Sequence, residues 1–324
     1  MTRRVLVTGG FGYLGGRVVA ELAAAPDTEV IVTSRGGEWP ADYPRDGLDN
    51  VRVVALDLAR LAPAELCAGV TEVVHLAAAN EIVSGLEPAV AVDVTTTGTV
   101  RVLERALEAG VRRFVYLSTA HIYGAPLAGH LTEQALPRPG HPYAITHRAA
   151  EDFVLAAADR GAIEAVVVRL SNAFGWPVWA GVDRWTLLVN DLCRQAVVDR
   201  ALVLRSSGAQ ERDFICLGDA ARAIRHLLEV SASALGDGIF NLGGRATTRI
   251  LDMAERVRAR SAAVLGFTPT LSVGADPGGT APPPLDYDCG RLAATGFHWR
   301  GDSDGEIDGL LRLCERAFSE AAAT

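Results

Sequence analysis

Near its start the chain reads Thr8-Gly9-Gly10-Phe11-Gly12-Tyr13-Leu14-Gly15, directly after the β-branched run Val5-Leu6-Val7 and directly before a helical pattern. A turn of this kind can hold a phosphate. Gly9 lets the backbone reverse sharply, Gly12 leaves room for a pyrophosphate against bare backbone, and Gly15 lets the next helix pack close to the sheet. The free N–H groups and the positive dipole end of that helix then meet the anionic charge. With a strand before and a helix after, the spacing predicts a bound dinucleotide, with Tyr13 and Leu14 beside it.

The end of the second strand bears on which dinucleotide. A carboxylate there would bind the ribose 2′-hydroxyl and select NAD. Here the chain reads Thr33-Ser34-Arg35, with no carboxylate. A guanidinium is well shaped for a 2′-phosphate, so Arg35 favours NADP over NAD. The other reading is an exposed Arg35, with NAD held through Ser34.

These residues need a scaffold, and the apolar pattern supplies one. Short runs at Val5–Val7, Val30–Val32, Val51–Leu56, Val73–Leu76, Phe114–Leu117 and Ala165–Leu170 alternate with helical stretches at Tyr13–Ala25, up to Gly110, and at Tyr143–Arg160 behind Pro142. Continuous rather than alternating apolar runs indicate strands covered on both faces, hence a parallel sheet. The fold class is α/β: a Rossmann doubly wound parallel sheet with a smaller C-terminal substrate-binding cap. Residues 1–171 form the dinucleotide-binding domain, with 212–245 returning to it through strands at Phe214–Leu217 and Ile239–Leu242. Residues 172–211 and 246–324 form the cap. The Gly/Pro-rich stretch Gly274–Pro284 reads as a loop.

Composition narrows the partners. The net charge of −8 argues against a general nucleic-acid binder and against docking on anionic membranes. No apolar run is long enough for a membrane span. All 31 basic residues are arginines, so lysine Schiff-base chemistry is excluded. The five cysteines are scattered without a C-x-x-C pair, and the histidines lack paired ligand spacing, so no metal is assigned. Scattered thiols suit a reducing cytoplasm.

Six ordered segments resemble the extended short-chain dehydrogenases/reductases of the NAD-dependent epimerase/dehydratase type, the group that includes UDP-galactose 4-epimerase. They follow the glycine turn, which has the same resemblance: Ala55-Leu56-Asp57-Leu58; His75-Leu76-Ala77-Ala78; Leu117-Ser118-Thr119 with Ile122-Tyr123-Gly124; Arg169-Leu170-Ser171-Asn172 with Gly175; Arg212-Asp213-Phe214-Ile215 with Asp219; and Asn241-Leu242-Gly243. The resemblance implies that Asp57, Leu58, Leu76, Ala77 and Ala78 line the cofactor. It implies Tyr143 as the acid/base for an alcohol/carbonyl pair and Thr119 as its hydroxyl partner. The family's lysine, four residues after the tyrosine, is His147 here. Positions i and i+4 share a helix face, so His147 can still reach the cofactor ribose. A neutral imidazole lowers the phenol pKa less than an ammonium would, and an oxidised nicotinamide would supply part of that field.

On the substrate side the resemblance assigns Asn172, Asn190 and Arg212 to a diphosphate and sugar, with an Arg212–Asp213 ion pair as the alternative for Arg212. Dehydratases of this family carry an Asp-Glu pair after the threonine; Ala120 and His121 stand there, so dehydration is disfavoured. His121 is either an extra proton carrier at the substrate or a loop histidine. The leading expectation is a nucleotide-sugar epimerase that oxidises and re-reduces its substrate with a bound nicotinamide cofactor. A nucleotide-ketosugar reductase using NADPH and a non-catalytic dinucleotide-binding module are the alternatives. A homodimer is expected, through the helices near Val92–Gly110 and Tyr143–Arg160.

Overall fold

Alternate residues of each central strand point to opposite faces, and both faces are apolar here. On the first strand Val5 and Val7 enter one core and Leu6 the other, all with no exposed surface. A computed structural model, which describes residues 3–275 and 284–319, shows the resulting sheet. Its strands are β1 (Arg3–Thr8), β2 (Thr28–Ser34), β3 (Val51–Ala55), β4 (Glu72–His75), β5 (Arg113–Thr119), β6 (Glu164–Leu170) and β7 (Ile239–Leu242). All neighbours run parallel, in the order β7-β6-β5-β4-β1-β2-β3. The order reverses between β1 and β4, and the crevice beyond the strand ends at such a switch point is where ligands bind in open α/β sheets.

Three helices position the site. Helix α1 (Gly15–Ala23) follows the glycine turn. Helix α2 (Gly98–Glu108) follows a six-residue π-helical stretch, Val92–Thr97. Helix α3 (Pro142–Asp159) begins with Pro142 in its first turn, where a missing N–H costs nothing. The His141 ring caps α3, its Nδ1 accepting from the Tyr143 N–H at 3.2 Å. Helices α2 and α3 cover one face of the sheet; α1 and helix Leu217–Glu229 cover the other.

One expected strand lies elsewhere. Glu211–Cys216 does not return to the main sheet; it pairs with Asn172–Phe174 and Thr247–Arg249 in a separate three-stranded sheet. The place beside β6 is taken by β7, whose Ile239 to Leu242 register with Val167 to Leu170. Helices Leu188–Val198, Ile250–Leu265 and Ser303–Phe318 pack together around a core of their own. The end helix is clasped to α1, where the Arg17 guanidinium meets Glu306 at 2.8 and 3.1 Å and lies over the Trp176 ring. Most of the expected loop at Gly274–Pro284 lies outside the described residues. Among the described residues no helix is long and apolar enough to cross a membrane.

Candidate active site

A cavity of about 1060 Å³ opens over the ends of the parallel strands, from the glycine turn to the three-stranded sheet. The turn has the tightness its sequence implies. Gly9 adopts a positive φ of 69°, and the Gly12 N–H closes back on its carbonyl at 2.9 Å. A Cβ on Gly15 would lie 2.0 Å from that same oxygen, whereas one on Gly12 would meet only it, at 3.1 Å, and would otherwise fill the cavity. No side chain caps the start of α1; the Gly16 N–H is taken by the Gly12 carbonyl at 3.1 Å, and the Gly15 N–H ahead of it is left for an anion. The backbone thus fits a dinucleotide pyrophosphate.

Ser34, Arg35, Asp57 and Leu58, expected at the cofactor, all lie on the cavity wall. Ser34 is already engaged: its hydroxyl donates to the Glu38 carbonyl at 2.8 Å and accepts the Glu38 N–H at 3.0 Å. Arg35 is exposed and pairs with no carboxylate among the described residues. Leu76, Ala77 and Ala78 line the floor.

At the centre stand Thr119, Tyr143 and His147, brought to one wall by β5 and α3. One turn of helix sets the Tyr143 ring edge-on to His147, with centroids 4.5 Å apart. Burial raises the Tyr143 phenol above its ordinary value; Arg184 opposes this, Glu81 adds to it, and the Thr119 hydroxyl pulls it back. Burial, then His75 and Arg184, push His147 down to about 3, so the imidazole is neutral at physiological pH. His147 and Ser118 belong to the cavity wall, and the His147 Nε2 and Ser118 hydroxyl are buried with no hydrogen-bond partner among the described residues. Such atoms suit a polar ligand that completes them.

The far end carries Asn172, His121 and Arg212. The alternative for Arg212 is not what the structure shows: Asp213 is occupied by the Ser171 hydroxyl at 2.5 Å and the Gly244 N–H at 2.8 Å. Arg212 has no carboxylate partner among the described residues and faces the cavity. The His121 ring opens on the cavity, held below its ordinary pKa first by desolvation and then by Arg212. Asn190, expected at the substrate, stands behind the wall. Its amide oxygen accepts from the Tyr13 hydroxyl at 3.1 Å and its NH₂ donates to the Arg184 carbonyl at 3.0 Å, which ties the Arg184 loop to the glycine turn. Trp176, Trp179 and Trp185 are not among the wall residues; Trp185 packs on Phe318 and Trp179 near Tyr43.

Arg184 is a wall residue that the sequence did not reveal. It lies in an irregular stretch with no periodicity, and its guanidinium reaches Glu81 across the cleft at 3.7 Å.

The sequence profile of the NAD dependent epimerase/dehydratase family matches residues 5–243. The chain belongs to this family of NAD-dependent enzymes, of the extended short-chain dehydrogenase/reductase type. It is 30% identical over 286 residues to UDP-glucose 4-epimerase of Rhizobium meliloti, covering 79% of this chain and 82% of the relative. It is 27% identical over 266 residues to the dTDP-D-glucose 4,6-dehydratase of Mus musculus, covering 79% and 72%. Among solved structures, MoeE5 in complex with UDP-glucuronic acid and NAD superposes with a TM-score of 0.77 at 25% identity, over 97% of this chain and 99% of that one. The expected preference for NADP finds no support here: the family is NAD-dependent and this structural neighbour carries NAD.

Proposed function

We propose that the protein is a nucleotide-sugar epimerase that retains NAD and returns the hydride it removes. One observation carries this reading: a single cavity joins the glycine turn, the Thr119–Tyr143–His147 wall and Arg212, which has no carboxylate partner among the described residues. When bound, the dinucleotide supplies a hydride acceptor and donor. Gly9, Gly12 and Gly15 would hold its pyrophosphate, and His147 would hold its nicotinamide ribose. Tyr143 takes the proton of a sugar hydroxyl and later returns it, with Thr119 as hydrogen-bond partner. Arg212 matches a diphosphate, since a guanidinium donates to two oxygens at once. Asn172 lies next to it and His121 faces the sugar side. The three-stranded sheet and the helices Leu188–Val198, Ile250–Leu265 and Ser303–Phe318 act as the substrate cap. Ala120 cannot supply the acid that a dehydration needs, which sets this chain apart from its dehydratase relatives.

The reading is tested with purified protein, NAD and a panel of nucleotide sugars. Epimer interconversion without net change in NADH absorbance is the expected result. Stoichiometric consumption of NADPH would make the protein a reductase, and a 4-keto-6-deoxy product would make it a dehydratase.

The assembly we propose is a homodimer. Val92, ahead of α2, and Ile145 and Phe153, on α3, are about half exposed, at 48%, 49% and 51%. Large apolar side chains on these helices fit a four-helix contact between two copies. Light scattering at micromolar concentration should give twice the chain mass, and Phe153→Asp should give monomers.

A further inference from the structure

Between β4, β5, α2 and α3 lies a buried hydrogen-bond chain whose proton positions are fixed at its far end. The Thr99 hydroxyl donates to the Thr95 carbonyl at 2.5 Å. With that proton spent, Thr99 Oγ1 accepts from His75 Nε2 at 3.0 Å. His75 therefore carries its proton on Nε2, and its Nδ1 accepts from the Thr8 hydroxyl at 2.7 Å. Burial pushes His75 down to about 3, as it does His147, so both rings are neutral and each has one proton to place.

Tyr116, on β5, stands between the two histidines. Its ring stacks on His75 at 5.9 Å and 23°, and its hydroxyl lies 2.8 Å from His147 Nδ1. Thr99 is the other hydroxyl near it, with one lone pair left beside the His75 N–H; a neutral imidazole nitrogen is the stronger base of the two. The free imidazole nitrogen is the better acceptor, so the Tyr116 O–H donates to Nδ1. The proton of the neutral His147 ring then sits on Nε2. That atom is fully buried beside the Tyr143 ring, belongs to a residue of the cavity wall and has no hydrogen-bond partner among the described residues.

We propose that Tyr116 is a positioning residue that fixes His147 as its Nε2–H tautomer and aims that N–H at a ribose hydroxyl of the dinucleotide. The inference rests on the dinucleotide site described above. A lysine ammonium needs no such partner, because all its hydrogens are donors. An imidazole has one, and a second group must decide which nitrogen bears it. Beside Tyr143, where phenolate charge develops, an N–H is favourable and a lone pair is not.

The test uses the cofactor-free, ¹⁵N-labelled protein. Two-dimensional ¹H–¹⁵N spectra of the histidine rings report the tautomer, and the signals lost in His147→Gln assign the residue. The wild type should show the Nε2–H form. In Tyr116→Phe, which keeps the ring, the Nδ1–H form should become populated and the dissociation constant for NAD should rise about tenfold, the scale of one hydrogen bond. A merely structural role for Tyr116 would lower stability but leave tautomer and affinity alone. The Nδ1–H form in the wild type, or unchanged NAD affinity in Tyr116→Phe, overturns the proposal. Because the tautomer is read without substrate, failure of the epimerase assay leaves this result standing, and the reverse also holds.

Discussion

Tyr143→Phe should lower turnover by at least about a hundredfold while leaving NAD affinity within about twofold. Positioned acid/base groups contribute roughly 10² to 10⁴ in rate, and the phenol oxygen is the atom this wall presents for the task. The same assignment fixes the pH dependence. Burial raises the phenol, and neutral His147 supplies no fixed charge to bring it back. The reactive phenolate fraction therefore grows as pH rises, and the rate should climb from neutral into the alkaline range. His147→Lys places a cation on the same helix face and should move that profile toward lower pH. A shift of about one unit corresponds to roughly 1.4 kcal/mol and is readily seen in a rate profile. Full activity of Tyr143→Phe on the true substrate would refute the assignment and direct attention to His121.

Glu151→Ala should destabilise the fold by about 3–5 kcal/mol, the range for removing one partner of a buried ion pair. Glu151 of α3 receives the Arg169 guanidinium of β6 at 3.1 and 2.8 Å, and neither side chain is more than 1% exposed. Without the carboxylate, Arg169 keeps the Tyr123 hydroxyl at 2.8 Å and the Glu133 carbonyl at 3.2 Å, but no buried counter-charge. The apolar double variant Glu151→Leu with Arg169→Met should recover part of the loss, because it removes both desolvation penalties. Urea denaturation followed by circular dichroism measures both. A loss under about 1 kcal/mol in the single variant would show that the pair does not hold α3 to the sheet.

Arg169 illustrates what a motif reveals and what it leaves out. The sequence marks it within a family segment, yet its role is to anchor the helix that carries Tyr143 and not to touch a ligand. The glycine turn was legible because its spacing follows from local backbone sterics, and the parallel strands because each is apolar on both faces. Four features were not legible: a local turn decides the first, and long-range partners decide the other three. Ser34 lies where an NAD ribose could be held, but its hydroxyl is taken by Glu38. Asn190 resembles a substrate ligand, but the Tyr13 hydroxyl has claimed its amide. The strand Glu211–Cys216 has the composition of a returning strand, but β7 fits beside β6 and leaves it to pair with Asn172–Phe174. Tyr116 reads as an ordinary strand residue until α3 brings the His147 ring against it.

The late arrival of β7 also has a consequence during synthesis. Strand β6 ends at Leu170 and its outer neighbour starts at Ile239, roughly seventy residues later. At about 5–20 residues per second, a nascent chain emerges for several seconds with the apolar edge of β6 uncovered. An open edge of that kind is a template for unwanted strand pairing. The segment made in the meantime includes helix Leu217–Glu229, which packs on the same face as α1. Its apolar face can dock before the last strand closes the sheet, which covers one face of β6 while the edge still waits for β7.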